Sequence, residues 1–219
     1  MDIKLAIDQF KKGDGKNKGR LPDERYASFD FCYNHFYSFY RQNKISDMAS
    51  EKNLQASCLH LGFYLASWGM LRGSSFLLEK SIRHYSNLIK LISKLPPKVW
   101  KIDVDNYNED NIHILLGVAK KIKESLSSKE KYPSDTLITK IMLGVFGNAP
   151  ALDQYVKKSF KVYALNKKTL NKIKIFYDNN KDIIDGYEIN TLDFFTGQDT
   201  DIKYTKAKLI DMYGFIAGQ

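Results

Sequence analysis

A glycine-containing corner between two predicted helices is the first feature of this sequence that could do chemistry. The corner runs Gly144-Val-Phe-Gly-Asn-Ala-Pro150, within a unit that extends from Ser134 to Phe160. A corner of this kind exposes backbone N–H groups that can hold a nucleic-acid phosphate without reading the base sequence. We therefore expect Gly144, Gly147 and Asn148 to contact phosphate groups.

The formal positive charge of the chain is concentrated around this corner. Residues 120–174 hold thirteen Lys and no Arg against four acidic residues, a surplus of nine that equals the net charge of the whole chain. A polyanion, with DNA the first choice, is the natural partner of such a region. Flanking lysines should supply the salt-dependent part of binding; they are Lys129, Lys131, Lys157, Lys158 and Lys161.

Residues 134–160 resemble the helix-hairpin-helix DNA glycosylase superfamily, in which a catalytic Asp follows a hairpin in a Pro-x-Asp context. The matching residues are Pro150-Ala-Leu-Asp153, with one extra residue between the proline and the aspartate. The resemblance implies that Asp153 assists the attack of water and stabilises the cationic sugar as the base departs. Some members use a lysine of the hairpin as the nucleophile, and by position this role falls to Lys140.

Both residues also have a structural interpretation. An acidic residue in the first turn of a helix interacts favourably with the helix dipole, so Asp153 needs no catalytic role. Lys140 fits equally well as an ordinary lysine on a helix surface. No Gly-hydrophobic-Gly turn precedes Lys140, and only 13 residues separate it from Asp153. These departures from the superfamily pattern favour a member that uses water, or a non-catalytic relative.

A second corner, from Trp68 to Ser75, is predicted between two further helices. Arg72 lies beside the expected start of the second helix, where it could bind an anion or cap neighbouring carbonyls. Trp68 is expected to belong to the core. Residues 61–70 and 147–153 also resemble segments of an uncharacterised bacterial all-helical family, and this resemblance implies no activity.

Apolar residues at three- and four-residue steps predict a single all-α domain over residues 1–219 with a helix-hairpin-helix-like element. An aromatic stripe from Tyr26 to Tyr40 marks the buried side of one helix, although it could also stack bases. Strand signals are almost absent apart from residues 162–165. The predicted helices cover about residues 2–12, 22–42, 48–70, 74–94, 111–126, 134–145, 151–160, 169–185 and 205–216.

Composition excludes several classes of site. The two cysteines, Cys32 and Cys58, lie far apart in apolar helical patterns, as reduced core thiols do. The four histidines have no metal-ligand spacing, so we expect no metal and no other cofactor. The sequence has no leader-like N-terminus and no apolar window of about 18 residues, which predicts a soluble, cytoplasmic protein without a membrane partner.

Three functions remain open from the sequence. The first is a DNA-processing enzyme of glycosylase type that acts on a flipped base with Asp153. The second is a non-enzymatic nucleic-acid-binding protein that uses the same lysines. The third is a helical module that binds an acidic protein, such as one half of a toxin–antitoxin or phage-defence pair. HEPN-type ribonucleases are set aside, because no Arg is followed by a His at four to six residues.

Overall fold

Ten α-helices account for most of the residues that the computed structural model describes, which are 1–15, 17–73, 75–127 and 132–219. Several begin at a short polar side chain that accepts a hydrogen bond from a free N–H group of the first turn, as in Asp2, Ser134 and Thr205. The helices are α1 (Ile3–Lys12), α2 (Ser28–Arg41), α3 (Leu54–Ser67), α4 (Ser86–Ile92), α5 (Glu109–Leu126), α6 (Asp135–Phe146), α7 (Gln154–Phe160), α8 (Lys167–Asn179), α9 (Lys181–Asp185) and α10 (Lys206–Ala217).

The all-α prediction is confirmed, with local differences that include two of the predicted helices. The predicted helix over 74–94 is two 3₁₀ turns, Phe76–Glu79 and Ile82–Tyr85, followed by the short α4. Ser75 caps the first of these turns, whereas Ser74, the other predicted cap, lies outside the described residues. The predicted helix over 169–185 is divided at Asn180 into α8 and α9.

A small β-hairpin is the element that the sequence did not predict. Strands β1 (Asn190–Leu192) and β2 (Asp199–Lys203) pair antiparallel, with Asn190 opposite Lys203. The alternation of apolar and polar residues that predicts a strand is missing, because β2 reads Asp-Thr-Asp-Ile-Lys. Tertiary contacts hold the hairpin instead: Leu192 N donates to the buried carboxylate of Asp30 on α2, at 3.2 Å.

One hydrophobic core extends through the described chain, from Ile3 in the first helix to Ile216 in the last. Helices α2, α3 and α6 contact one another at its centre, and α10 packs against both α1 and α7. The aromatic stripe of α2 is part of this core, since Phe29, Tyr33 and Phe36 are buried. Packing against α3 and α6 therefore uses the side of α2 that could have stacked bases.

Cys32 and Cys58 are both buried and carry free thiols.

Within the described residues no helix combines the length and the apolarity needed to cross a membrane. The same residues contain no group of three His, Cys, Asp or Glu side chains that could hold a metal ion.

Candidate functional site

Lys140 is the exception among the described lysines of residues 120–174, because its side chain is only 4% exposed. It belongs to α6, which begins at the Ser134 cap and is so apolar that every residue from Leu137 to Phe146 is buried. A buried ammonium is costly unless it is paired. The prediction of an ordinary surface lysine at this position is therefore wrong.

Asp153 is the partner of Lys140, with 3.7 Å between Lys140 Nζ and Asp153 Oδ2. The other carboxylate oxygen, Oδ1, accepts hydrogen bonds from the N–H groups of Tyr155 and Val156, each at 3.0 Å. These bonds cap α7, which explains why α7 begins at Gln154 rather than at Ala151 as predicted. Asp153 thus caps a helix with one oxygen and faces the buried amine with the other.

The chain between α6 and α7 is fixed by side chains that determine where Asp153 lies. Thr136 Oγ1 donates to the carbonyl of Leu152 at 2.7 Å, and Leu152 N donates to Thr139 Oγ1 at 2.8 Å. Ala151 N donates to Asp211 Oδ1 on α10 at 3.0 Å. The short interval between the lysine and the aspartate therefore brings them together, because the connecting segment is anchored to both neighbouring helices.

Burial moves the protonation of both partners toward their neutral forms. It lowers the pKa of the Lys140 ammonium, while the carboxylates of Asp153 and Asp211 oppose this shift. It also raises the pKa of the Asp153 carboxyl, and the Lys140 charge and the capping N–H groups oppose that shift. Both pKa shifts favour transfer of a proton from the Lys140 ammonium to the Asp153 carboxylate.

The Lys140–Asp153 pair lies in the lining of a cleft of about 570 Å³, within the roughly 300–1,000 Å³ typical of small-ligand sites. One wall is aromatic. The Trp68 ring stacks on Tyr26, with centroids 5.3 Å apart, and meets Phe215 edge-on at 5.6 Å. Lys140 Nζ lies 5.1 Å from the centroid of the same Trp68 ring, so the amine and this wall form one site.

Two arginines stand at the same cleft. Arg25 lies over the Trp68 ring, 5.3 Å from its centroid, and Arg72 is exposed and also lines the cleft. Both can present a positive charge to an anion that enters. Arg72 precedes a 3₁₀ turn rather than the predicted α-helix, so its place at the cleft, and not a helix terminus, is what favours anion binding.

The residues of the predicted phosphate-binding corner are buried rather than exposed. Gly144 lies within α6 against the Tyr64 ring, and Gly147 ends α6 with a φ of 66° next to Thr205. Asn148 is fully buried, where its side chain donates to the carbonyl of Val99 at 3.2 Å and its own carbonyl accepts from Tyr107. Both glycines lie where a side chain would meet a neighbouring residue, so they allow close packing.

Close packing at Gly144 gives a stability prediction. A Cβ at this position would lie 2.5 Å from Cε1 of Tyr64, so Gly144→Ala should lower the free energy of unfolding by roughly 1–3 kcal/mol. Gly117→Ala is the matched control, because a Cβ on that helical glycine would meet no described atom within 4 Å, and the change should stabilise α5 slightly. Urea unfolding of both variants measures the difference, and equal effects would contradict close packing of α3 on α6.

The predicted basic residues of α7 lie on the outside. Lys158 and Lys161 are exposed and Lys157 is partly exposed. Lys158 Nζ approaches the carbonyl of Gln219, itself a residue of the cleft lining, at 3.4 Å. This contact places the start of the basic surface at the rim of the cleft. Lys129 and Lys131, the other lysines predicted to flank the corner, lie outside the described residues.

Sequence reasoning missed Arg25, Lys208 and Asp211, which are all part of this site or directly behind it. Lys208 is 1% exposed and pairs with Asp211 at 3.1 Å. Nothing in the sequence distinguishes Lys208 from a surface lysine of an amphipathic helix. Its burial comes from tertiary packing, which places its ammonium over Phe10 of α1 and Phe29 of α2.

A buried amine beside a carboxylate, in an aromatic cleft with two arginines, has the components for nucleophilic attack on an anionic substrate. The amine supplies the lone pair, the carboxylate accepts its proton, and the guanidinium groups attract phosphate. The chain matches no protein-family model, no curated protein and no solved structure.

Proposed function

We propose that this protein excises a base from DNA, with Lys140 as the nucleophile and Asp153 as the proton acceptor. One observation carries the proposal: the two residues that the glycosylase resemblance selects lie 3.7 Å apart in the lining of a cleft. Purely structural roles for Lys140 and for the helix cap Asp153 do not require the two side chains to be neighbours in the lining of a cleft. The distance also favours an amine nucleophile over the water molecule that the sequence spacing favoured.

The aromatic wall and the arginines fit a flipped nucleotide. An extruded base stacks on aromatic side chains, and the partly exposed Trp68 ring in the cleft lining can take that role. The phosphates of the nucleotide need positive charge, which Arg25 and Arg72 offer. The cleft continues past Gly69 and Arg72 into a neighbouring groove of about 780 Å³. The strand on one side of the flipped nucleotide has room to follow that groove.

The proposed reaction balances through the two residues. The Lys140 lone pair forms a bond to C1′, and the glycosidic bond breaks with its electron pair leaving on the base. Asp153 accepts the proton that the attacking nitrogen loses and returns it to the departing base. Opening of the sugar ring then gives an iminium on Lys140, and O4′ takes a proton from a water molecule. The hydroxide that this leaves removes a 2′ proton, and the C3′–O3′ bond breaks with its electron pair leaving on the 3′ phosphate.

Reductive trapping tests the nucleophile. With borohydride and a duplex that holds one abasic site, the wild-type protein should form a covalent adduct, and peptide mass spectrometry should find it on Lys140. Lys140→Met should give no adduct. The matched control is Lys174→Met, because that lysine also lies over an aromatic ring, Tyr177, at 5.6 Å, and belongs to a separate ion pair. An adduct on another lysine, or full trapping by Lys140→Met, would refute the assignment.

Binding to DNA should depend on the basic surface of α7. Lys157→Glu combined with Lys158→Glu should weaken duplex binding regardless of sequence and reduce the slope of log K against log salt by about one per lost phosphate contact. The control is Lys52→Glu with Lys98→Glu, two exposed lysines outside residues 120–174. Fluorescence anisotropy at several salt concentrations measures both pairs. If the control pair weakens binding as much as the α7 pair, the surface is not the DNA footprint.

The alternative, a nucleic-acid-binding protein without enzymatic activity, makes the opposite prediction for the chemical assays. It shares the salt dependence, since exposed lysines bind phosphate whether or not a reaction follows. It gives no adduct on Lys140 and no release of a base. If the affinity for DNA falls steeply with salt concentration but the protein fails both chemical assays, it is a binding protein. The burial of Lys140 then has a structural cause.

A further inference from the structure

A second buried lysine–aspartate pair lies behind the cleft, on α10. Lys208 Nζ is 3.1 Å from Asp211 Oδ2. The same nitrogen lies over two further aromatic rings, 4.7 Å from the Phe10 centroid and 4.5 Å from the Phe29 centroid. The proposed reaction uses neither residue. A buried ion pair also contributes little net stability, because both charges lose their hydration.

This pair touches the site at two places. Lys208 Nζ is 5.5 Å from the centroid of the Trp68 ring, the same ring that Lys140 contacts at 5.1 Å. The two ammonium groups are thus separated by no more than the sum of those distances, with protein rather than water around them. Asp211 uses its other oxygen to accept from Ala151 N, in the segment that leads to Asp153.

We propose that Lys208 and Asp211 are positioning residues that set the protonation state of Lys140, the positive charge favouring the free amine and the negative charge favouring the ammonium. The proposal rests on the proposed function, because only a nucleophile needs its amine free. A like charge held in a poorly hydrated interior disfavours a second positive charge nearby, and a carboxylate has the opposite effect.

Several other charged or titratable groups lie around Lys140 and its partners. Asp153 precedes α7 and pairs with Lys140, Tyr64 of α3 interacts with Asp153 and Asp211, and Arg25 and Arg72 line the same cleft. Burial is the largest cause that lowers the pKa of Lys140; Asp153 and Asp211 raise this pKa, and Lys208 lowers it further. Asp30 on α2 interacts with Lys208 from the other side. Neither residue of α10 belongs to the cleft lining, so changes at these positions replace no side chain of the lining.

The test measures the proton on Lys140 in the free protein. NMR of ¹³C-lysine-labelled protein follows the Lys140 Cε signal against pH, and Lys140→Met assigns that signal. Lys208→Met should raise the midpoint of the titration by on the order of one pH unit, because a positive neighbour is lost. Asp211→Asn should move it in the opposite direction, and its amide oxygen still accepts from Ala151 N. Lys208→Arg keeps the charge and should restore the wild-type midpoint.

Shifts of the Lys140 titration midpoint in opposite directions in Lys208→Met and Asp211→Asn separate an electrostatic effect from damage to the fold. A loosened structure exposes Lys140 to water and raises the midpoint in every variant, so a rise in Asp211→Asn would overturn the proposal. No movement in either variant would overturn it as well. If Lys208→Met fails to fold, Lys208→Arg and Asp211→Asn still give the comparison.

The measurement needs no substrate, which keeps this inference separable from the proposed function. Failure of the trapping assay with the expected NMR shifts would leave the electrostatic pair in place and remove the base-excision chemistry. Trapping on Lys140 with unchanged titration midpoints would support the base-excision chemistry and remove the electrostatic role of Lys208 and Asp211. If both experiments give the expected result, the pH below which the trapping rate falls should be higher in Lys208→Met than in the wild-type protein.

Discussion

Asp153→Asn should reduce the rate of base release by roughly 10²–10⁴-fold while the protein still binds DNA as well as before or better. The amide cannot accept the proton that Lys140 loses, and the loss of a negative charge near phosphates cannot weaken attraction to DNA. The fold should survive, because asparagine caps a helix about as well as aspartate and Oδ1 still accepts from the N–H groups of Tyr155 and Val156.

Asp2→Asn is the control for this experiment. Asp2 caps α1 as Asp153 caps α7, through a hydrogen bond of 3.0 Å from Leu5 N, but it lies outside the cleft that holds Lys140. A panel of duplexes with damaged or modified bases, scored for abasic-site formation, should show wild-type rates for Asp2→Asn. Undiminished release by Asp153→Asn would remove this residue from the mechanism.

Trp68→Ala should cause a large loss of stability, roughly 3–5 kcal/mol in the free energy of unfolding. The ring stacks on Tyr26 at 5.3 Å and lies 6.3 Å from the Phe10 ring, with Phe215 against its edge, so its removal leaves a cavity among three aromatic neighbours. It also removes the ring that both buried lysines contact. The base-release activity of Trp68→Ala should fall by more than the unfolded fraction of the protein accounts for.

Trp100→Ala separates the two effects. Trp100 is a buried tryptophan that stacks on Tyr40 at 5.8 Å and meets Phe146 at 4.7 Å, and it does not line the cleft. It should lose comparable stability and retain the activity of the fraction that stays folded. Thermal unfolding and single-turnover rates, measured below the transition of both variants, give the comparison. Equal residual activity in the two variants would make Trp68 a core residue only.

Much of the helical order could be predicted from the sequence, because apolar periodicity and caps are local properties. Ser134 before α6 and Thr205 before α10 mark helix starts to within a residue. The hairpin of β1 and β2 could not be predicted in this way. Its strands are short and polar, and the contact that fixes it, from Leu192 to Asp30, joins residues 162 positions apart.

The candidate site was predictable only in part, and for a physical reason. The glycosylase resemblance selected Asp153 and Lys140, yet Lys140 has the same helical spacing in the sequence as any surface lysine. Its burial depends on the packing of other helices, among them α2, α3 and α5, around α6, and no local window of sequence shows this packing. The same glycines that predicted an exposed phosphate-binding corner are needed where helices approach closely, so glycine content alone could not distinguish the two uses.

The aromatic wall of the cleft has a consequence for how the protein folds. Its rings come from positions as distant in the sequence as Tyr26 and Phe215, with Trp68 between them, so both regions must meet before the wall exists. Contacts between such distant residues form late, because the loop entropy must be lost first. During synthesis, α10 also leaves the ribosome after α6 and α7. The Lys140–Asp153 pair, only 13 residues apart, can therefore form early, while the cleft that shields it closes only once α10 has been made.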